Sequence, residues 1–209
     1  MEKIEANLKD PGKDIFNDRL LRLHYYIAGA VVFFISLAAY LFTVAPTVSF
    51  WDCGEFIAAS TTLAIPHPPG TPLFVIFGRT VDILLPFIEE PAYRINLISV
   101  FGSSITVFFC FWIIVKTVCS VIPGYKTKAS RYSPMAGGFA GALLAGFGDT
   151  FWFNAVEAEV YGIAMAFIAA QVWLTFKWKE KYDTDAIGSD RYLLFITYLA
   201  FLGVGLHLY

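Results

Sequence analysis

Charge is scarce in this 209-residue sequence: only 15% of it is Asp, Glu, Lys or Arg, against 57% hydrophobic and 18% aromatic residues. So little charge excludes a water-soluble globule. The formal net charge of −2, with no Lys/Arg run, gives no footprint for a phosphate backbone, so nucleic acid is excluded as a partner. Cysteine is rarer still. Cys53, Cys110 and Cys119 are an odd number without paired spacing, so neither a disulfide framework nor a zinc cluster follows. Internal repeats and low-complexity tracts are also absent.

What the chain does have is apolar blocks about as long as a bilayer is thick. The first, Tyr25 to Val44, carries no charge over about 20 residues, enough at about 1.5 Å per residue to cross roughly 30 Å of hydrocarbon. It is too long for the core of a cleaved signal, and Pro46 follows the one small-residue cleavage point, Ala45, so it reads as uncleaved. Further blocks run from Ile95 to Val115, Pro134 to about Phe153, Val160 to Phe176 and Tyr192 to Tyr209. An all-α polytopic membrane protein with about five crossings is expected. The last block ends without a polar tail, as in a fragment of a longer chain.

A sixth stretch, Leu73 to Phe87, is only about 15 residues long and contains Arg79, Asp82 and Pro86, so it reads as interfacial or re-entrant. Charge asymmetry supports that choice. If it does not cross, every Lys and Arg except Arg79 and Arg94 falls on one side, which the positive-inside rule makes cytoplasmic. The expected organisation is a cytoplasmic tail over 1–22 and a membrane domain over 23–209, with a first outer loop over 45–93 containing interfacial helices. The acids Asp52, Glu55, Asp82, Glu157 and Glu159 then gather at the non-cytoplasmic face.

The densest polar constellation is Trp51-Asp52-Cys53-Gly54-Glu55-Phe56. Carboxylates three apart at a helix start can approach one spot, and a headgroup-level dielectric would raise the pKa of either, as a general base requires. The structural alternative is a capping box, with Glu55 returning a bond to Asp52. His67 lies in a rigid Pro66-His67-Pro68-Pro69-Gly70 path, where it is an acid, base or phosphate contact, or simply a solvated turn residue.

Arg79 and Arg94 are the permanent cations of the outer face, so one of them is expected to hold a lipid phosphate. Otherwise Arg79 pairs with Asp82 and Arg94 snorkels. Glu157 and Tyr161 are four apart, as on one helical face; with Asp149 and Glu159 the carboxylates can bind sugar hydroxyls, while the neighbouring aromatics read rather as an interfacial belt. The glycines from Gly137 to Gly148, including the Gly137/Gly141 pair, read as a helix-packing face. Asp52 and Glu55 are hard oxygen ligands, but without a clear third ligand a divalent metal is not favoured, and no cofactor is expected.

Trp51-Asp52-x-Gly54-Glu55-Phe56, His67-Pro68-Pro69-Gly70-x-Pro72-Leu73, Arg94-x-Asn96-Leu97 and Asn154-x-x-Glu157-x-Glu159-Val160-Tyr161 together resemble the amino-terminal part of a membrane family long labelled as a domain of unknown function. Its eukaryotic member resembles a protein O-mannosyltransferase. The pattern is similar to the GT-C class of glycosyltransferases, and the resemblance implies sugar transfer from a polyprenyl-phosphate donor to a protein or glycan acceptor within membrane lipid. By that resemblance Asp52 is the catalytic base and Glu55 assists it. Arg79 or Arg94 holds the donor phosphate, and Glu157 and Glu159 line the pocket. The breadth of the family favours a bacterial inner membrane, with the endoplasmic reticulum as the alternative. A transporter or a non-catalytic scaffold are the competing classes, and the nearly charge-free helix interiors weigh against the first.

Overall fold

The computed structural model describes residues 18–122, 125 and 127–207. Among these residues the fold is entirely helical, with no strand. The helices are α1 (Arg19–Thr43), α2 (Cys53–Thr62), α3 (Pro72–Leu84), α4 (Pro91–Val121), α5 (Lys128–Gly146), α6 (Asp149–Ala155), α7 (Val160–Tyr182) and α8 (Ala186–Val204). Four of them, α1, α4, α7 and α8, are long and apolar enough to cross a membrane, which makes the chain a multi-pass membrane protein.

The remaining expected crossing, Pro134 to Phe153, is not one helix. The chain turns at Phe147-Gly148, ending α5 at Gly146 and starting the short α6 at Asp149. Gly148 sits extended at φ −62°, ψ 139°, outside the helical region. At its other end α5 opens with a polar turn whose capping box joins Thr127 and Ser130, so its apolar portion is shorter than in the four spans. The expected short stretch after Pro72 is α3, with 13 residues and a reach of roughly 20 Å, well short of the hydrocarbon thickness.

Caps move several boundaries outward from the apolar blocks. Asp18 accepts bonds from the backbone N–H groups of Leu20 and Leu21, so α1 starts at Arg19 and takes in the end of the expected tail. The rest of that tail, 1–17, lies outside the described residues, as do 208–209 at the end of the last expected block. Glu90 caps α4 and Pro91 occupies its first turn, giving a helix of 31 residues.

This long α4 is the hub, in contact with α1, α3, α5 and α7. Its approach to α7 is backbone on backbone. A Cβ on Gly102 would stand 2.8 Å from the Ile163 backbone, and one on Gly162 would stand 2.6 Å from Ser103 Oγ. The glycines of α5 do form a packing face, at Gly138, Gly141 and Gly146 against α4, but Gly137 faces open space. The expected Gly137/Gly141 pair is therefore corrected: residues four apart in a helix are about 40° out of register, and here only one of them meets the neighbour.

Bonds between segments distant in sequence sort the ends of the bundle. At one end Tyr25 Oη donates to the Arg131 carbonyl and Lys116 pairs with Glu180, which also pairs with Lys177. At the other end the Ala45 N–H donates to the Val156 carbonyl, and the Leu73 N–H to the Gly205 carbonyl. The described Lys and Arg residues other than Arg79 and Arg94 lie toward the first end, and Asp52 and Glu159 toward the second.

Candidate functional site

The chain between α1 and α2 is pinned to the α6–α7 connection by α4. Buried Asn96 of α4 donates through Nδ2 to the carbonyls of Ala45 and Thr47, at 2.9 and 3.3 Å, while its Oδ1 accepts from the thiol of Cys53. One turn on, Ser99 donates to the Glu159 carbonyl at 2.9 Å and accepts from the Glu159 N–H at 3.1 Å. These bonds bring two sequence clusters about a hundred residues apart to one place. Sequence reasoning assigned Asn96 and Ser99 no role. The available signal was a carboxamide inside an apolar helix, which must find partners there. Cys53 is buried against this seam, and burial pushes its thiol pKa up.

Neither half of the capping box forms. Asp52 makes no side-chain bond to the start of α2, and Glu55 turns away from the helix to the loop that follows it. Glu55 Oε1 accepts the His67 backbone N–H at 2.6 Å, and Oε2 lies 2.8 Å from His67 Nδ1. The proline-rich path from Pro66 to Pro72 holds this geometry. Gly70 in it takes φ +91°, a conformation that a residue with a Cβ rarely adopts. His67 also packs against the Phe56 ring, 5.7 Å between centroids, and its Nε2 is 3.9 Å from Asp52 Oδ2.

The electrostatics follow from these contacts. The bond to Glu55 raises the His67 pKa, and the same bond lowers that of Glu55. Glu157 and Glu159 sit in the α6–α7 connection, 2% and 7% exposed. Burial, then Glu157, then Asp52 push the Glu159 carboxyl up to about 7.

The expected helical face shared by Glu157 and Tyr161 does not exist. Glu159 is extended at φ −125°, ψ 144° and α7 begins only at Val160, so Glu157 turns inward while Tyr161 stays half-exposed. Tyr161 packs on His207, 5.6 Å between ring centroids, and lines a cavity of about 500 Å³ with Ser103, Thr150, Asn154 and Met165.

Arg79 and Arg94 form a separate group. Both grip Asp82, Arg79 Nη1 at 2.9 Å and Arg94 Nη1 at 2.8 Å, and Arg79 also donates to the Thr61 carbonyl. Thr61 is at the far end of α2 from Asp52, roughly 13 Å along the helix axis. Beside α3 and α4 lies an apolar cavity of about 630 Å³ lined by Phe77, Val81, Leu97, Phe101, Phe109 and Phe167, among others. Thus Asp52, Glu55, His67 and Glu159 come together, Glu157 lies buried beside them, and the two arginines stand apart.

Residues 52–209 match the family model described as Protein O-mannosyl-transferase TMEM260 N-terminal domain. The mouse protein named Protein O-mannosyl-transferase TMEM260 is 28% identical over 155 residues, 74% of this chain and 20% of its own length. The Dictyostelium discoideum protein of the same name is 27% identical over 175 residues, 79% of this chain and 20% of its own. No solved structure matches. The chain spans about a fifth of the length of these curated relatives. With the matched region covering most of the sequence, including every acid of the site, the chain belongs to the TMEM260 N-terminal-domain family.

Proposed function

We propose that this chain carries the acceptor-activating part of a GT-C-type glycosyltransferase, which moves a sugar from a polyprenyl-phosphate carrier to an acceptor hydroxyl. The names of the relatives favour mannose as the sugar and a protein as acceptor. The observation that carries the reading is the juxtaposition of exposed Asp52 with His67 and buried Glu159, built from distant segments around α4.

Asp52 is the base. Its carboxylate is solvent-accessible, free of any capping bond, and faces His67 Nε2 at 3.9 Å. It takes the proton of the acceptor hydroxyl as that oxygen attacks the anomeric carbon and the carrier phosphate leaves. Glu55 orients the His67 ring, much as a carboxylate fixes an imidazole in a catalytic triad. Glu159 and Glu157 line the pocket and bind sugar hydroxyls, with Tyr161 on the neighbouring cavity. Arg79 or Arg94, one clasped on each oxygen of Asp82, meets the carrier phosphate when the lipid enters beside α3.

By the positive-inside rule the amino terminus is cytoplasmic and this centre lies at the non-cytoplasmic face; the breadth of the family favours a bacterial inner membrane, the endoplasmic reticulum being the alternative. The test is transfer of labelled mannose from its lipid carrier in membranes containing wild type or Asp52→Asn. The variant should lose at least 100-fold in rate with unchanged membrane insertion, as expected for removal of a general base. Undiminished transfer would refute the assignment.

A further inference from the structure

Asp52, Glu55 and His67 each offer one donor atom, and the three atoms lie within 4.8 Å of one another. The third donor is what the sequence lacked, because His67 is twelve residues beyond Glu55 and reaches it only through the proline-rich turn. Behind the trio stand Glu157 and Glu159, both more than nine-tenths buried. Neither pairs with a Lys or Arg among the described residues, and the charge of Glu159 acts on both Asp52 and His67. Three carboxylates, Asp52, Glu55 and Glu159, therefore act on one imidazole, with Glu157 beside Glu159. Buried carboxylates without a cation are costly unless protonated or paired.

We propose that Asp52, Glu55 and His67 bind one divalent first-row cation. Two carboxylate oxygens and an imidazole nitrogen are the donor types that Mn²⁺ and Zn²⁺ accept, at about 2.0–2.2 Å. Donors around such an ion stand roughly 3 to 4 Å apart, so shifts of an ångström or less from the present spacing complete the shell. The donor atoms of Asp52, Glu55 and His67, no two more than 4.8 Å apart, face the space the ion takes. Glu55 Oε2, 2.8 Å from His67 Nδ1, exchanges that hydrogen bond for the ion on binding. Water fills the remaining positions, since Asp52, Glu55 and His67 are each about half exposed. The ion neutralises the acidic group; it takes one oxygen of Asp52 and leaves the second to accept the acceptor proton of the transferase reading.

Mn²⁺ alone is the probe, added to the full chain in detergent micelles after chelator treatment, with bound ion read by loss of the free-Mn²⁺ paramagnetic resonance signal. One ion per chain is expected. Asp52→Asn and His67→Ala should each weaken uptake at least tenfold, while Glu89→Gln, which removes an acid from the same outer segment, should leave it unchanged. A second readout uses the unaltered chain with ¹⁵N-histidine: substoichiometric Mn²⁺ should broaden the His67 ring signals and leave those of His24, at the opposite end of the bundle, sharp. Uptake equal in wild type and both ligand variants, or His67 signals untouched, would overturn the site. Sugar transfer that persists in chelator without any Mn²⁺ uptake would also overturn it while leaving the transferase reading intact.

Discussion

Glu55 engages His67 with both oxygens, one on the backbone N–H at 2.6 Å and one beside ring Nδ1 at 2.8 Å. A helix residue thereby sets the position and the ring orientation of a residue in the next loop. The bond favours the protonated imidazole, so the stabilisation it lends is fully present below the ordinary histidine value of about 6.5 and is lost as pH rises through the higher folded value. Glu55→Gln should move the His67 titration back down toward that ordinary value, measured by ¹⁵N-histidine spectra against pH. Transfer should drop about tenfold with a shifted pH profile, whereas a residue that merely packed would leave the profile in place.

Glu159 makes the opposite contribution to most carboxylates. Its pKa is about 7 in the fold against 4.5 unfolded, so stability falls as pH rises between these values and the penalty is complete above 7. Glu159→Gln removes that penalty. In chelator, the variant should be more stable than wild type at pH 8 by on the order of 2 kcal/mol, and the gap should close toward pH 5. Thermal unfolding in detergent at the two pH values checks this; a gap that is constant or widens toward acid would count against the buried-carboxyl account.

The α4–α7 crossing tolerates no Cβ. Gly102→Ala places one 2.8 Å from the Ile163 backbone, where only movement of a helix makes room. A loss of about 1–3 kcal/mol is expected, as for other overpacked sites. Gly137→Ala, with nothing within 4 Å, should be neutral or slightly stabilising through helix propensity. Unfolding midpoints of the two variants, measured side by side, should separate clearly.

Asp82 is the shared partner of two arginines. Asp82→Asn takes the carboxylate from both guanidinium groups, one of them 14% exposed, leaves them only backbone carbonyls, and should cost about 2 kcal/mol. Adding Arg79→Gln should recover part of the loss, because one of the stranded charges is removed. A double variant no more stable than Asp82→Asn alone would show that the arginines are satisfied elsewhere.

The membrane class was legible in composition and block length, and the four spans match apolar blocks whose ends were displaced outward by caps at Asp18 and Glu90. The third block misled because hydropathy averages over Gly148, which leaves the helical region without changing the apolar character of its surroundings. The short spacing of Asp52 and Glu55 suggested that they serve each other. In the fold Glu55 serves His67 instead, a choice made by a rigid loop whose direction no local pattern encodes.

From residue chemistry alone came the bilayer as solvent, the segregation of basic from acidic loops, and the identity of the acids worth attention, because each depends on composition or on spacing within one segment. Only the tertiary structure decided that Asn96 and Ser99 would stitch the Asp52 segment to the Glu159 segment, and that Arg79 and Arg94 would close on Asp82 rather than join them. Such pairings depend on where helices of fixed length end and how closely two backbones approach. At Gly102 and Gly162 that approach is set by missing side chains, and Gly162 packs on Ser99, the residue that holds Glu159.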